Sequence, residues 1–272
     1  MRPALAAGLT ALWLAVTPSL LIGAPGDCPQ TPGADVCTGT DASDDYALLG
    51  GDDRAALRGG DDRADGGAGD DRLSGEDGDD SLIGGPGNDL FLGGGGGDSI
   101  TGAEGRDRIN GQAGADTLDG GGDADTVFAG GDGDVVSGGT HSDRLYGQAG
   151  DDVMEGDGGR DTLIGAGGND GLRGGPHDDT VYGTDGKDAV AGDDGDDTLQ
   201  GDAGRDRVTG GPGDDFLIGG AASDRLLSGS GDDRVNSRDA RRDRIRCGAG
   251  TDVVFGESAD VVAGDCERFV LP

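Results

Sequence analysis

Between residues 66 and 236 one apolar side chain returns every ninth position: Leu73, Leu82, Phe91, Ile100, Ile109, Leu118 and onward to Val235. The stretch divides into nineteen nine-residue units with no insertion or deletion, such as Gly84-Gly85-Pro86-Gly87-Asn88-Asp89-Leu90-Phe91-Leu92. The apolar residue sits at position eight. Side chains alternate between faces along a strand, so positions seven to nine form a short strand that sends position eight to one face and its neighbours to the other. The inward face is the core, and each unit adds one residue to it.

The polar positions are as regular. Position one is Gly except at Ala129 and Ser228, and position four is Gly in fourteen units. A Gly-rich first half must turn tightly, through residues that tolerate positive φ. The departures at position four are Asp123, Asp132, His141, His177 and Ala222. Asp and His are among the non-Gly residues enriched at positive φ, whereas Ala is not, so strain is expected at Ala222. The same pattern makes the chain's two histidines turn residues rather than catalysts or zinc ligands.

Composition alone points elsewhere. The chain has 272 residues with 62 Gly, 3% aromatics and a formal net charge of -34, a balance that by itself reads as disorder. A strict internal period takes precedence and predicts a thin, elongated repeat core. The acidity excludes nucleic acid and anionic membrane surfaces as natural partners and favours cations.

Position six is Asp in every unit: Asp71, Asp80, Asp89, Asp98, Asp107, Asp116, Asp125, Asp134, Asp143, Asp152, Asp161, Asp170, Asp179, Asp188, Asp197, Asp206, Asp215, Asp224 and Asp233. Solvated surface charge drifts in place and identity; this one does neither and always ends a Gly-rich turn. Stacked at a strand spacing of about 4.8 Å, such carboxylates repel one another. Carboxylates together with turn carbonyls are hard oxygen ligands suited to Ca²⁺, which makes the nineteen aspartates the candidate metal ligands.

The pattern Gly-Gly-x-Gly-x-Asp-x-apolar-x resembles the RTX, or haemolysin-type, calcium-binding nonapeptide repeats. The resemblance implies an all-β fold, a parallel β-roll with two nonapeptides per coil and capped ends. It further implies Ca²⁺ held between successive turns on one edge, so that Asp71 with Asp89, or Asp80 with Asp98, brackets one ion. At most seventeen interior sites result, with folding coupled to ion binding.

The flanks differ. Residues 1–26 read as a secretory signal peptide: Arg2, an apolar run holding Trp13, Pro18, and small residues at Ala24-Pro25-Gly26. The protein is therefore expected to be secreted and extracellular, with no membrane insertion once the signal is removed. Residues 27–49 form an N-terminal cap segment. Residues 50–65 read as degenerate repeats, one with Leu57 in the apolar position and one two residues short. Residues 237–272 read as C-terminal capping repeats. Four Cys allow three disulfide connectivities; local pairing of Cys28 with Cys37 and Cys247 with Cys266 avoids spanning the array.

No separate catalytic domain fits between the signal and the repeats, and no His-Glu-x-x-His or Cys-x-x-Cys occurs. The expectation is a calcium-binding protein, not an enzyme. The alternative is a structural or adhesive cell-surface rod. The outward position nine of odd-numbered units includes Leu92, Phe128, Tyr146, Ile164, Tyr182 and Ile218, and the Phe128/Tyr146/Tyr182 face is the candidate surface for self-association or a surface partner.

Overall fold

The apolar period of nine folds into coils of two units. In the computed structural model, which describes residues 21–22 and 28–271, strands eighteen residues apart pair in parallel, as in Ile109 with Val127 and Leu118 with Val136. Alternate strands therefore fall into two sheets, one of 15 strands and one of 13. No helix occurs among the described residues. The architecture is a parallel β-solenoid, as the repeat pattern and the family resemblance imply. The segment expected to be a signal peptide lies outside the described residues except for Leu21–Ile22, whose backbone pairs with Asp35–Thr38.

The strands run further than the sequence suggests. Arg108–Ala113, for example, covers positions seven to nine of one unit and one to three of the next, with Ile109 and Gly111 buried. Only positions four to six turn. The first half of the unit is thus largely strand, because position-one residues enter the parallel ladder next to the apolar residue two places before them.

Position eight is buried throughout, from Leu73 to Val235, forming one narrow core between the sheets. The core continues beyond both ends of the regular array. Ala55 pairs with Leu73 and Ala64 with Leu82, so Ala55 and Ala64 hold position eight. This corrects the expected phase of residues 50–65. Leu57 stands at position one, fully buried as Leu48 is, and the segment 57–65 is a complete unit rather than a short one. The small Ala55 at position eight is compensated by Leu57 two residues later, which preserves core volume while disguising the frame. Downstream, Ile245 pairs with Leu226 across an extra residue.

Two positions in each unit carry positive φ. Position four does so in every unit of the array, including Asp123, Asp132, His141 and His177 at φ 69° to 90° and Ala222 at 110°. Position two does as well, in Glu76, Gln112, Gln148 and Thr184 among others. Position two is Gly or Asp in most units, and where Glu, Gln or Thr stands there the residue has no preference of its own for the left-handed region. Disulfides join Cys28 to Cys37 and Cys247 to Cys266, the local pairing expected from the sequence, one at each end of the solenoid.

Candidate metal centre

Every position-six Asp closes a turn, and the parallel register stacks them on two edges. The backbone N–H of each donates to Oδ1 of the Asp one coil further on: Asp71 to Asp89 at 2.7 Å, Asp80 to Asp98 at 2.9 Å. One ladder runs from Asp35 through Asp53 and Asp71 to Asp252 and on to Glu267. The other runs from Asp44 through Asp62 and Asp80 to Asp243 and Asp260. All nineteen candidate ligands lie in these ladders and all are buried. Asp53, Asp62, Asp243 and Asp252 are buried ladder members outside the nineteen regular units. Each follows the same turn pattern, but Leu48, Leu57 or the inserted residue disguises the unit around it.

The second carboxylate oxygen sets the chemistry. From Asp53 to Asp224 every ladder Oδ2 is buried without a hydrogen-bond partner. A buried unpaired acceptor of this kind is costly, more so when it carries charge. The surroundings add further acceptors. A Cβ placed on Gly102 would lie 2.2 Å from Asp107 Oδ2 and 2.5 Å from the carbonyl oxygen of Gly120 in the next coil. Position-one glycine thus leaves a cradle where carboxylate and carbonyl oxygens converge with no donor between them. That donor set suits a hard cation coordinated by oxygen. No three His, Cys, Asp or Glu side chains form a metal-binding cluster among the described residues, so the remaining ligands would have to be backbone carbonyls.

Electrostatics follow from the same geometry. Burial, then neighbouring ladder carboxylates, raise the pKa of Asp71, Asp98, Asp134 and Asp179 to about 7, against the pull of the donated backbone N–H. Asp143 is pushed up to about 8, by burial first and then by Asp125, Asp161 and Asp157. Ser228, one of the two non-Gly residues at position one, donates its hydroxyl to the Cys247 carbonyl at 3.0 Å, and burial raises the pKa of the nearby ladder residue Asp233 to about 6.

Parallel coils that stack buried carboxylates and turn carbonyls on two edges define a β-roll of the cation-binding repeat class. The chain belongs to the RTX calcium-binding nonapeptide repeat family, whose model of four copies matches ten overlapping stretches between residues 38 and 235. No curated protein matches the chain. Among solved structures it is similar to a hyperactive, Ca²⁺-dependent, β-helical antifreeze protein from an Antarctic bacterium. The two are 20% identical, with a TM-score of 0.49, over 92% of this chain and 82% of that one.

Proposed function

We propose that this protein is a secreted calcium-binding β-roll, without enzymatic activity, whose folding is coupled to ion binding. The observation that carries the reading is the run of buried, unpartnered Oδ2 atoms along both ladders. The ladder aspartates from Asp71 to Asp233, with Asp53, Asp62, Asp243 and Asp252 extending them, would hold Ca²⁺ together with turn carbonyls. Bound calcium would neutralise the stacked carboxylates, so its binding free energy becomes folding free energy. Because the ladders pass beyond the nineteen regular units, they would offer positions for ions beyond the seventeen counted from the sequence. Export is supported by the signal-like leader and by the terminal disulfides, which persist in oxidising compartments.

Calcium titration followed by calorimetry and circular dichroism tests the proposal. The expected result is β-structure appearing at about 10⁻⁴–10⁻³ M Ca²⁺, the range of extracellular modules, with several ions bound. A far-ultraviolet spectrum indifferent to Ca²⁺ and chelator would sink it.

A second reading, a surface rod that presents a sheet face, is favoured by one observation. Phe128 and Tyr146 stack at 4.8 Å with an interplanar angle of 8°, and the Arg108 guanidinium lies 5.2 Å from the Phe128 ring centroid. Ile164 and Tyr182 continue the row in register. Cell fractionation distinguishes the readings: retention on the cell surface, lost on replacing Phe128 and Tyr146 by Asp, supports the rod.

A further inference from the structure

We propose that the turn edge at 187–244 is a binding site for an anionic polysaccharide bearing sulfate or phosphate esters. In a chain of net charge -34, Lys187, Arg205, Arg207, Arg225, Arg242 and Arg244 line one shared concavity, and all six are exposed. The repeat frame explains the convergence. Lys187, Arg205 and Arg242 each precede a ladder aspartate on the same edge, and Arg207, Arg225 and Arg244 each follow one.

The arrangement is costly unless something anionic covers it. Arg207 is the direct register partner of Arg225, and Arg225 of Arg244. Like charges on adjacent strands about 4.8 Å apart destabilise a sheet. Yet none of the six forms an ion pair: the ion pairs among the described residues are Arg160–Asp178 and Arg173–Asp193. The carboxylates lying between the two rows, Asp206, Asp224 and Asp243, are buried and turned into the ladder, and Arg205 acts on Asp224 through space without a direct ion pair. Guanidinium forks that are unpaired, in register and exposed suit bidentate contact with ester oxyanions repeated along a polymer.

The ligand class follows from what the site lacks. The concavity contains no aromatic residue, whereas single-stranded nucleic acid is held largely by stacking on aromatic rings. A duplex, with a charge every 1.7 Å or so of axis, would reach past the basic rows onto the acidic edges around them. A thin polysaccharide contacts only the rows. Asp202 and Asp239 are the acidic groups outside the ladder that act on this edge's own carboxylates; at about 0.1 M salt, charges more than roughly 10 Å away are screened. The proposal requires a folded roll and is independent of which cation folds it.

The test uses the full chain at millimolar Ca²⁺, with dextran sulfate as probe and neutral dextran and a single-stranded oligonucleotide as comparisons. Dextran sulfate is expected to bind, neutral dextran not to bind, and the oligonucleotide to bind at least about tenfold more weakly. The triple variant Arg207→Gln, Arg225→Gln, Arg244→Gln should lose about tenfold or more in affinity and flatten the salt dependence. The control pair Arg54→Gln, Arg72→Gln, on the other sheet, should bind as the parent does. Circular dichroism and the calcium isotherm establish that each variant is folded. Dextran sulfate binding that is absent, unchanged in the triple variant, or matched by the oligonucleotide overturns the proposal. A shift in the calcium isotherm alone, with no polymer binding, does so too, because the arginines would then be counter-charges of the ladder. A chain that folds without Ca²⁺ and still binds the polymer would refute the calcium reading and leave this one standing.

Discussion

The backbone N–H of Asp125 donates to Oδ1 of Asp143 at 2.7 Å, and Asp143 Oδ2, buried beside it, has no partner. One carboxylate thus does two things. It ties a coil to its predecessor through the main chain, and it leaves an acceptor that only a proton or a cation can satisfy. Repetition of this unit along both edges couples the mechanical integrity of the roll to what occupies its carboxylates.

The metal-free roll should be most stable in acid. Folding raises the pKa of Asp143 from 3.8 to about 8, and that of Asp125 and Asp215 to about 7. Between the unfolded and folded values the native state holds more protons than the unfolded chain, so stability falls as pH rises. The contribution is fully present below about pH 4 and is lost progressively up to about pH 8. Calcium must displace these protons, and its affinity should therefore rise over the same window. Circular dichroism of the chelator-treated chain between pH 4 and 8.5, paired with calcium titrations at pH 6 and 8, checks both directions.

Asp143→Asn should separate the two tasks of the carboxylate. The amide keeps an oxygen for the Asp125 N–H and replaces the unpaired Oδ2 with a donor, removing a buried charge. The metal-free chain at pH 7.5 should gain β-structure, while calorimetry should show loss of the ions that Asp143 shares with Asp125 and Asp161. A variant with unchanged stoichiometry would place the metal ligands elsewhere.

Turn substitutions should act in opposite directions. Ala222 is held at φ 110°, a strained backbone for a residue with a Cβ, and Ala222→Gly should stabilise the calcium-loaded roll by about 1 kcal/mol. For a chain of this size that is a rise in Tm of roughly 2–4 °C. Gly102→Ala should destabilise by about 1–3 kcal/mol, because its Cβ would stand 2.2 Å from Asp107 Oδ2 and overfill the cradle. Thermal melts in excess Ca²⁺ read both.

Reducing Cys247–Cys266 should loosen the C-terminal end first. The bridge closes a loop with a sequence separation of 19, worth about 3 kcal/mol in the chain-entropy account. It also fastens the strands after Val253–Phe255, the last of which, Arg268–Val270, has an open edge. Hydrogen exchange of the Cys247→Ser, Cys266→Ser variant should show lost protection in residues 253–271 with the middle of the array unchanged.

A local period made much of this structure readable in advance. Position eight had to be the core because an apolar residue recurs there without exception, and position four had to be left-handed because Gly, Asp or His stands there in every unit but that of Ala222. The frame of residues 48–65 was not readable: Ala55 and Leu57 exchange volume between positions eight and one, and only the register of Ala55 with Leu73 settles which is which. At position two, Glu76 and Gln112 adopt positive φ under the constraint of two neighbouring coils rather than by their own preference.

The sequence by itself determined the repeat, its core residue, the turn chemistry and the aspartate that recurs in every unit, because each depends on contacts within nine residues. The tertiary structure alone decided what those aspartates do to one another. Stacking at an interval of eighteen buries them, gives Oδ1 to the preceding coil and strands Oδ2 without a donor. It also gathers scattered arginines into one edge, a consequence of register that no single unit contains.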